Sequence, residues 1–401
     1  MNIKPVLSNQ VYLDYAATTP MAPEAATAMA QCLTLDGRFA NPASLQHRFG
    51  ERANALVEEA RSEIALLLKC KSSHLVFTSG ATESNNLAIK GIALSGFPRR
   101  SMGTSGNHII TSASEHKAVL DSCKYLESMG FKVTYLRPDL NGQISLDCIF
   151  DALTEETVLV SLMQVNNETG VMQDIDLIAQ ALKDKALFFH VDAAQSAGKL
   201  NIDLSKTPID LLSLSAHKFY GPKGIGCLFV RNRKQTRITP LLHGGGQEYG
   251  LRPGTLATHQ IVGMATAFSI AYELMPSDHQ HSKHLEQILV SQLKQLEGVR
   301  FNGNQQHKLP NILNVSFDRV GADALMIALR DDVAMASGSA CNSGAIEASH
   351  VLRSMGIEGD RLYGAVRISF GRYTTEADIQ QAGDCICEAV TRLRRLALKL
   401  L

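Results

Sequence analysis

The chain carries no surplus of charge of either sign: Lys and Arg total 39, Asp and Glu total 39, and no long basic or acidic run breaks the balance. That excludes nucleic acid and anionic membrane as the main expected partners, because both are recognised through a sustained positive field. No stretch is apolar enough to span a bilayer, and the first twenty residues lack the apolar core and small-residue cleavage site of a secretory signal. A cytoplasmic protein is therefore expected. Zinc-type spacing of Cys and His is missing, as are internal repeats and low-complexity linkers. The eight cysteines are scattered through the chain without an export signal, so they are expected to be free thiols. The one close pair, Cys385 and Cys387, lies in a helical pattern with no nearby ligands and reads as packing.

What is present begins with length. At 401 residues the chain exceeds one ordinary core, and two unequal domains are expected. Helical spacing runs from about Ser44 to Lys69. A short buried strand, His74–Phe77, follows and ends at Ser79-Gly80, where a second helix starts at once. Further strands are expected at His108–Ser112, Lys132–Leu136, Thr157–Met163, Ala186–Asp192, Leu211–Ser215 and Gly226–Val230, with helices near Ala118–Met129 and Ile175–Lys183 between some of them. Such alternation predicts an α/β fold with a mainly parallel sheet covered on both faces. After Gly254 the pattern changes. A long helix from about His259 to Leu274 leads into shorter units with strands at Asn311–Phe317, Val333–Ser337 and Ala365–Phe370, then a last amphipathic helix. This reads as a smaller α+β domain. The expected division is 21–258 for the large domain, with 1–20 and 259–401 forming the small one.

Ligands in open α/β sheets sit at the C-terminal ends of the strands, so the polar residues there are the candidates. Ser79-Gly80-Ala81-Thr82 joins a strand to a helix N-terminus, where free amides and the helix dipole favour a phosphate, although most such turns are only turns. Asp192 closes an apolar strand, a costly place for a carboxylate without a partner. It reads either as a helix N-cap or as the partner of a protonated pyridine nitrogen, with Gln195 against the ring's phenolic oxygen. The run from Ser215 through His217 and Lys218 to Gly221-Pro222-Lys223-Gly224 is the most specific. A lysine at a strand end is ordinarily a surface group, but the Ser-x-His-Lys and Gly-Pro-x-Gly surroundings point to a Schiff-base lysine for pyridoxal 5'-phosphate. Cys341 lies among small and polar residues, Met335–Ala345, which read as a mobile loop with an exposed thiol.

Taken with Tyr12–Pro20, Asn41–Ser44, Thr111–Lys117, Val165–Gly170, His243–Glu248 and Arg252–Thr255, these segments make nearly the whole chain resemble the fold-type I, class-V pyridoxal-phosphate enzymes, and more closely the cysteine desulfurases. The Ser-Gly-Ser-Ala-Cys run ending at Cys341 resembles the longer-loop group that includes the iron-sulfur and nitrogen-fixation desulfurases. The resemblance implies a seven-stranded, mainly parallel sheet in the large domain and a small domain carrying the Cys341 loop. It implies that the Ala81 and Thr82 amides, Ser215 and His217 bind the cofactor phosphate, that Thr255 reaches the phosphate of a neighbouring subunit in a homodimer, and that His116 stacks on the pyridine ring. Asn167 and Arg367, with Asn41, would hold the carboxylate of L-cysteine. Lys218 would move the Cα proton, and Cys341 would take the sulfur as a persulfide for acceptor proteins, leaving L-alanine. A free thiol titrates near about 8.5, so a proton acceptor is expected beside it, with His116 the candidate. No permanent metal is implied, although Cys341 could serve as a transient iron-sulfur ligand. The rival readings are a selenocysteine lyase, an aminotransferase-like relative, or a non-catalytic partner of sulfur-transfer proteins.

Overall fold

The computed structural model describes residues 10–95, 106–337 and 348–398. A two-residue strand β1 (Val11–Tyr12) comes first, followed by β2 (Leu75–Thr78), β3 (His108–Ser112), β4 (Lys132–Leu136), β5 (Thr157–Met163), β6 (Phe188–Asp192), β7 (Leu211–Ser215) and β8 (Gly226–Val230). The last seven form one sheet in the order β2-β8-β7-β6-β5-β3-β4. Only β8 runs against the others, since it pairs antiparallel with both β2 and β7. Period-2 alternation along each strand feeds two cores. Phe77, Ile110, Val160, Phe189, Val191, Leu212 and Phe229 face one side. Val76, Ile109, Leu159, Phe188, Leu211 and Leu228 face the other, beneath helices Ala81–Ala93 and Lys117–Ser128.

Open sheets leave unpaired backbone at their edges. At the β2 edge a buried ion pair supplies the missing partners: Arg61 donates to the Leu75 carbonyl, while Glu248 accepts the Phe77 N–H and pairs with Arg61 at 2.6 Å.

The remaining strands are β9 (Val299–Phe301), β10 (Ile312–Phe317), β11 (Val333–Ala334), β12 (Ala336–Ser337) and β13 (Ala365–Ser369). They build a four-stranded antiparallel sheet, β12-β13-β10-β9, and a parallel pair of β1 with β11. The stretch expected as one strand over Val333–Ser337 is thus two, breaking at buried Met335, because its halves pair with different neighbours. The helix expected from Ser44 starts at Arg48 instead, since His47 stays extended and accepts from the Gly50 amide as the cap. Val11 and Leu13 pack in the same core as Leu285, Val315 and Ile368. Helix Thr258–Glu273, assigned from sequence to the small domain, lies in the large core through Ile261, Met264 and Phe268. Its apolar face covers the sheet side opposite helix Ala81–Ala93, and beyond this helix the core of the smaller sheet is taken up from Leu285 onward.

The seven cysteines among the described residues are free. No helix among them is long and apolar enough to cross a membrane.

Candidate active site

A cavity of about 600 Å³ opens where β2, β5, β6 and β7 end, with the segment Ala16–Thr18 across one wall and Arg367 on another. That volume suits a cofactor plus a small substrate. The N-terminal segment bridges both cores. Tyr15 and Ala16 donate to Ser369, and Thr19 donates to the His217 carbonyl. The site therefore lies in the crevice between the two cores.

One end of the cavity is built for a phosphate. Gly80 precedes helix Ala81–Ala93 with a φ of 149°, a conformation that glycine adopts without cost, and no side chain caps that terminus. The first amides of the helix are left for another acceptor. A Cβ on Gly226 would come within 2.6 Å of the Gly80 Cα, so the two backbones meet only because Gly226 carries no side chain. Ser215, His217 and Lys223 line the same end. His217 donates or accepts at 3.1 Å with the Thr18 hydroxyl, and burial, reinforced by Lys218, draws its imidazole down to about 4, so the ring is neutral.

Asp192 closes β6 at the floor. One carboxylate oxygen accepts the Ala194 amide at 2.9 Å, so the turn-capping reading describes half of what it does. The other accepts the Asn85 carboxamide at 2.7 Å. Sequence reading gave Asn85 no role. Its position one helical turn after Ala81, on the same face, is the signal that could have found it.

Lys218 follows β7 in a single turn of 3-10 helix, Ala216–Lys218. Its ammonium donates to the carbonyls of Ala16 at 2.5 Å and Ala17 at 2.7 Å. Burial, with Arg367 nearby, lowers it to about 8 against the opposing pull of Asp14 and Asp192. His116 caps helix Lys117–Ser128, its Nδ1 accepting the Ala118 amide at 3.1 Å. Burial holds the ring below its ordinary value despite Asp192. With Nδ1 occupied as an acceptor, the neutral ring carries its proton on Nε2. It therefore offers the cavity a donor, and taking a thiol proton at Nδ1 requires the cap to open.

At the opposite end, Arg367 donates to the Asn167 carbonyl at 3.0 Å and to Asp14 at 2.7 Å. Asp14 is a second residue to which sequence reading assigned no role. Arg367 Nε, Asn167 Oδ1 and Asn85 Oδ1 are buried with no hydrogen-bond partner among the described residues. Unpaired buried polar atoms are costly, and three in the lining of one cavity fit a ligand with its own polar groups. The donor set suits pyridoxal phosphate: free helix amides for its phosphate, Asp192 for its ring nitrogen, and a desolvated amine for its aldehyde. Gln195 also lines the cavity, donating to the Ala16 carbonyl at 2.8 Å.

The fold thus brings together Ala81, Thr82, His116, Asn167, Asp192, Gln195, Ser215, His217, Lys218 and Arg367. It does not bring Asn41 or Thr255 into this cavity. Asn41 lines a separate groove with Arg61 and Glu248, and Thr255 is exposed. Cys341 lies outside the described residues.

The aminotransferase class-V family matches residues 11–382. Cysteine desulfurase IscS of Vibrio vulnificus strain YJ016 is 50% identical over 387 residues, 96% of this chain and 94% of that protein. The protein of the same name from Shewanella piezotolerans is 49% identical over the same shares. Among solved structures, a NifS-like protein superposes with a TM-score of 0.85 at 35% identity, covering 98% of this chain and all of that one. The structure described as SspA in complex with cysteine superposes at 0.80 with 38% identity, covering 91% of this chain and 100% of the other.

Proposed function

The chain belongs to the class-V aminotransferase family as a pyridoxal-phosphate-dependent cysteine desulfurase, and from that premise we propose how its own residues divide the conversion of L-cysteine to L-alanine. When bound, the cofactor supplies an electron sink for charge developing at the substrate Cα. Lys218 is the amine that holds it and, once displaced by the substrate amine, the base that takes the Cα proton. A lysine poised at about 8 suits both tasks near neutrality. Asp192 would hold a proton on the cofactor's pyridine nitrogen, and His116 would face its ring with an Nε2–H available as a donor. Arg367 and Asn167 orient the substrate carboxylate. The observation that carries this reading is the three-ended cavity, with helix amides, a buried carboxylate and a guanidinium each aimed at a different part of one ligand pair.

Cys341 completes the reaction as thiolate. Its sulfur bonds to the substrate sulfur as the Cβ–S bond breaks, leaving a persulfide on the enzyme and, after protonation at Cβ, alanine. Acceptor proteins take the outer sulfur, and the same thiol is the natural transient ligand for an iron-sulfur cluster. In this division the large core holds the cofactor and the small one carries the thiol.

A homodimer is part of the proposal. Thr255 and Asn41 are not in the lining of their own chain's cavity, Leu45 lines the same groove as Asn41, and Leu35, Phe39, Leu45 and Phe49 are all exposed, with Phe39 and Phe49 in ring contact. Exposed apolar side chains grouped in this way favour a protein contact. Thr255 would thereby serve the partner's phosphate site, and Asn41 the substrate end.

The proposal is tested by incubating the cofactor-loaded enzyme with L-cysteine labelled at sulfur. Label should stay with the protein, be released by a thiol reductant, and equal the alanine formed in the first turnover. Alanine without protein-bound label would overturn the persulfide route. Arg367→Lys tests the carboxylate end, because it keeps the charge and loses the planar fork. KM for L-cysteine should rise by about 10- to 100-fold, with a smaller change in kcat.

A further inference from the structure

Lys199 ends the turn that follows Asp192 and is included in none of the ion pairs among the described residues. A half-buried lysine without a carboxylate partner is a costly arrangement. Its ammonium donates instead to two oxygens of one residue, the Gln195 carbonyl at 3.0 Å and the Gln195 side-chain Oε1 at 3.3 Å. From the other end of the same carboxamide, Nε2 donates to the Ala16 carbonyl at 2.8 Å, and Lys218 donates to that carbonyl too. A continuous chain of hydrogen bonds therefore links Lys199 to Lys218 through Gln195 and Ala16.

An ammonium has three donors and no acceptor, whereas a carboxamide has a donor end and an acceptor end. Whichever end of Gln195 faces Lys199 must be oxygen. We propose that Lys199 is a positioning residue that holds the Gln195 carboxamide with its NH2 group toward Ala16 and the cavity, so that the cofactor's ring oxygen meets a donor. This rests on the reading that Gln195 faces that ring oxygen.

The charged groups around Lys199 leave it free for this role. Asp278 and His279 share a small cavity with it, and the Asp278 carboxylate is held by Arg372 at 2.7 Å. Lys218 is the other charged neighbour, and burial, then Lys218, draws Lys199 down to about 7, so its donor-only, charged form is the one present on the acid side of neutrality.

Two consequences act in the same direction. A donor at the ring oxygen disperses its negative charge and makes the adjacent lysine–cofactor nitrogen less basic. A positive charge on Lys199 does the same through space. Releasing Gln195 should therefore make that nitrogen more basic.

The test is a pH titration of the bound cofactor's absorbance in purified holoenzyme without cysteine. Lys199→Met should move the midpoint upward by about one pH unit, and Lys199→Arg, which restores a donor-only cation, should return most of it. Gln195→Leu should move the midpoint the same way, and the double variant should shift it by less than the sum of the two single changes, its excess over Gln195→Leu being the through-space charge alone. No shift in Lys199→Met, or fully additive shifts, would overturn the proposal. Should Lys199→Met fail to fold, Lys199→Gln carries the test, because its amide can turn either end toward Gln195 and should restore less than arginine. Loss of the wild-type chromophore itself would instead count against the assignment of Lys218, so the two failures are distinct.

Discussion

Lys218→Ala is expected to lower alanine formation from L-cysteine by about 10⁴-fold or more, since one side chain serves both as the cofactor's anchor and as the Cα base. The folded chain should survive. Among the described residues the ammonium's hydrogen bonds are to the carbonyls of Ala16 and Ala17, which line an open cavity and can turn to water. Two measurements separate the roles. The absorbance of the lysine-linked cofactor should vanish, while phosphate-end binding by the Ala81 and Thr82 amides should persist and be detectable by equilibrium dialysis. The pH dependence of capture gives an independent check on wild type. Only the unprotonated amine attacks the aldehyde. With Lys218 at about 8, roughly a tenth of it is unprotonated at pH 7, against about one part in three thousand for an ordinary lysine. Cofactor recapture by the stripped protein should accelerate about tenfold per pH unit below 8 and level off above it. Alanine formation at the wild-type rate by Lys218→Ala would end the present reading of the site.

Cys341→Ala should behave in the opposite way. The cofactor absorbance should remain, and L-cysteine should still perturb it, because no group of the described cavity is altered. Alanine release should fall by about 10³-fold and protein-bound sulfur should be absent. The size of the loss follows from the nucleophile. A thiol near its usual pKa of about 8.5 is only a few per cent thiolate at neutrality, yet the thiolate is far more nucleophilic than water or the remaining polar groups of the cavity. Undiminished alanine formation would shift the assignment toward a lyase that expels sulfur directly. The pair of variants is diagnostic, since Lys218→Ala removes the chromophore with the activity and Cys341→Ala separates them.

Much of the large core was legible because of where its strands lie. Those covered on both faces carry near-continuous buried runs rich in apolar residues, so β3, β5, β7 and β8 fall where those runs lie. Boundaries moved where a polar side chain took over a backbone amide, as at His47, or where one run served two sheets, as at Met335. Helix Thr258–Glu273 was assigned to the wrong core because an amphipathic pattern reports that a face is buried, not against what. In the site, Lys218 announced itself through its local motif, Asp192 stood open between a helix cap and a pyridine partner, and His116 and Arg367 gained roles through the family resemblance. Asp14, Asn85 and Lys199 did not, since their roles depend on residues 353, 107 and 4 positions away, respectively.

The sequence by itself carries the groups on which the proposed chemistry rests: a lysine after a buried strand between a serine-histidine pair and glycine-rich backbone, a carboxylate at another strand end, an arginine on a third, and a thiol among small residues. These depend on residue identity and local order, which the chain carries without folding. Only the tertiary structure decided how the groups are tuned and oriented. Burial brings Lys218 to about 8, the Ala118 amide fixes the proton on His116, and Lys199 determines which end of Gln195 meets the cavity. Desolvation and hydrogen-bond direction are properties of a three-dimensional neighbourhood, and neither is encoded by a motif.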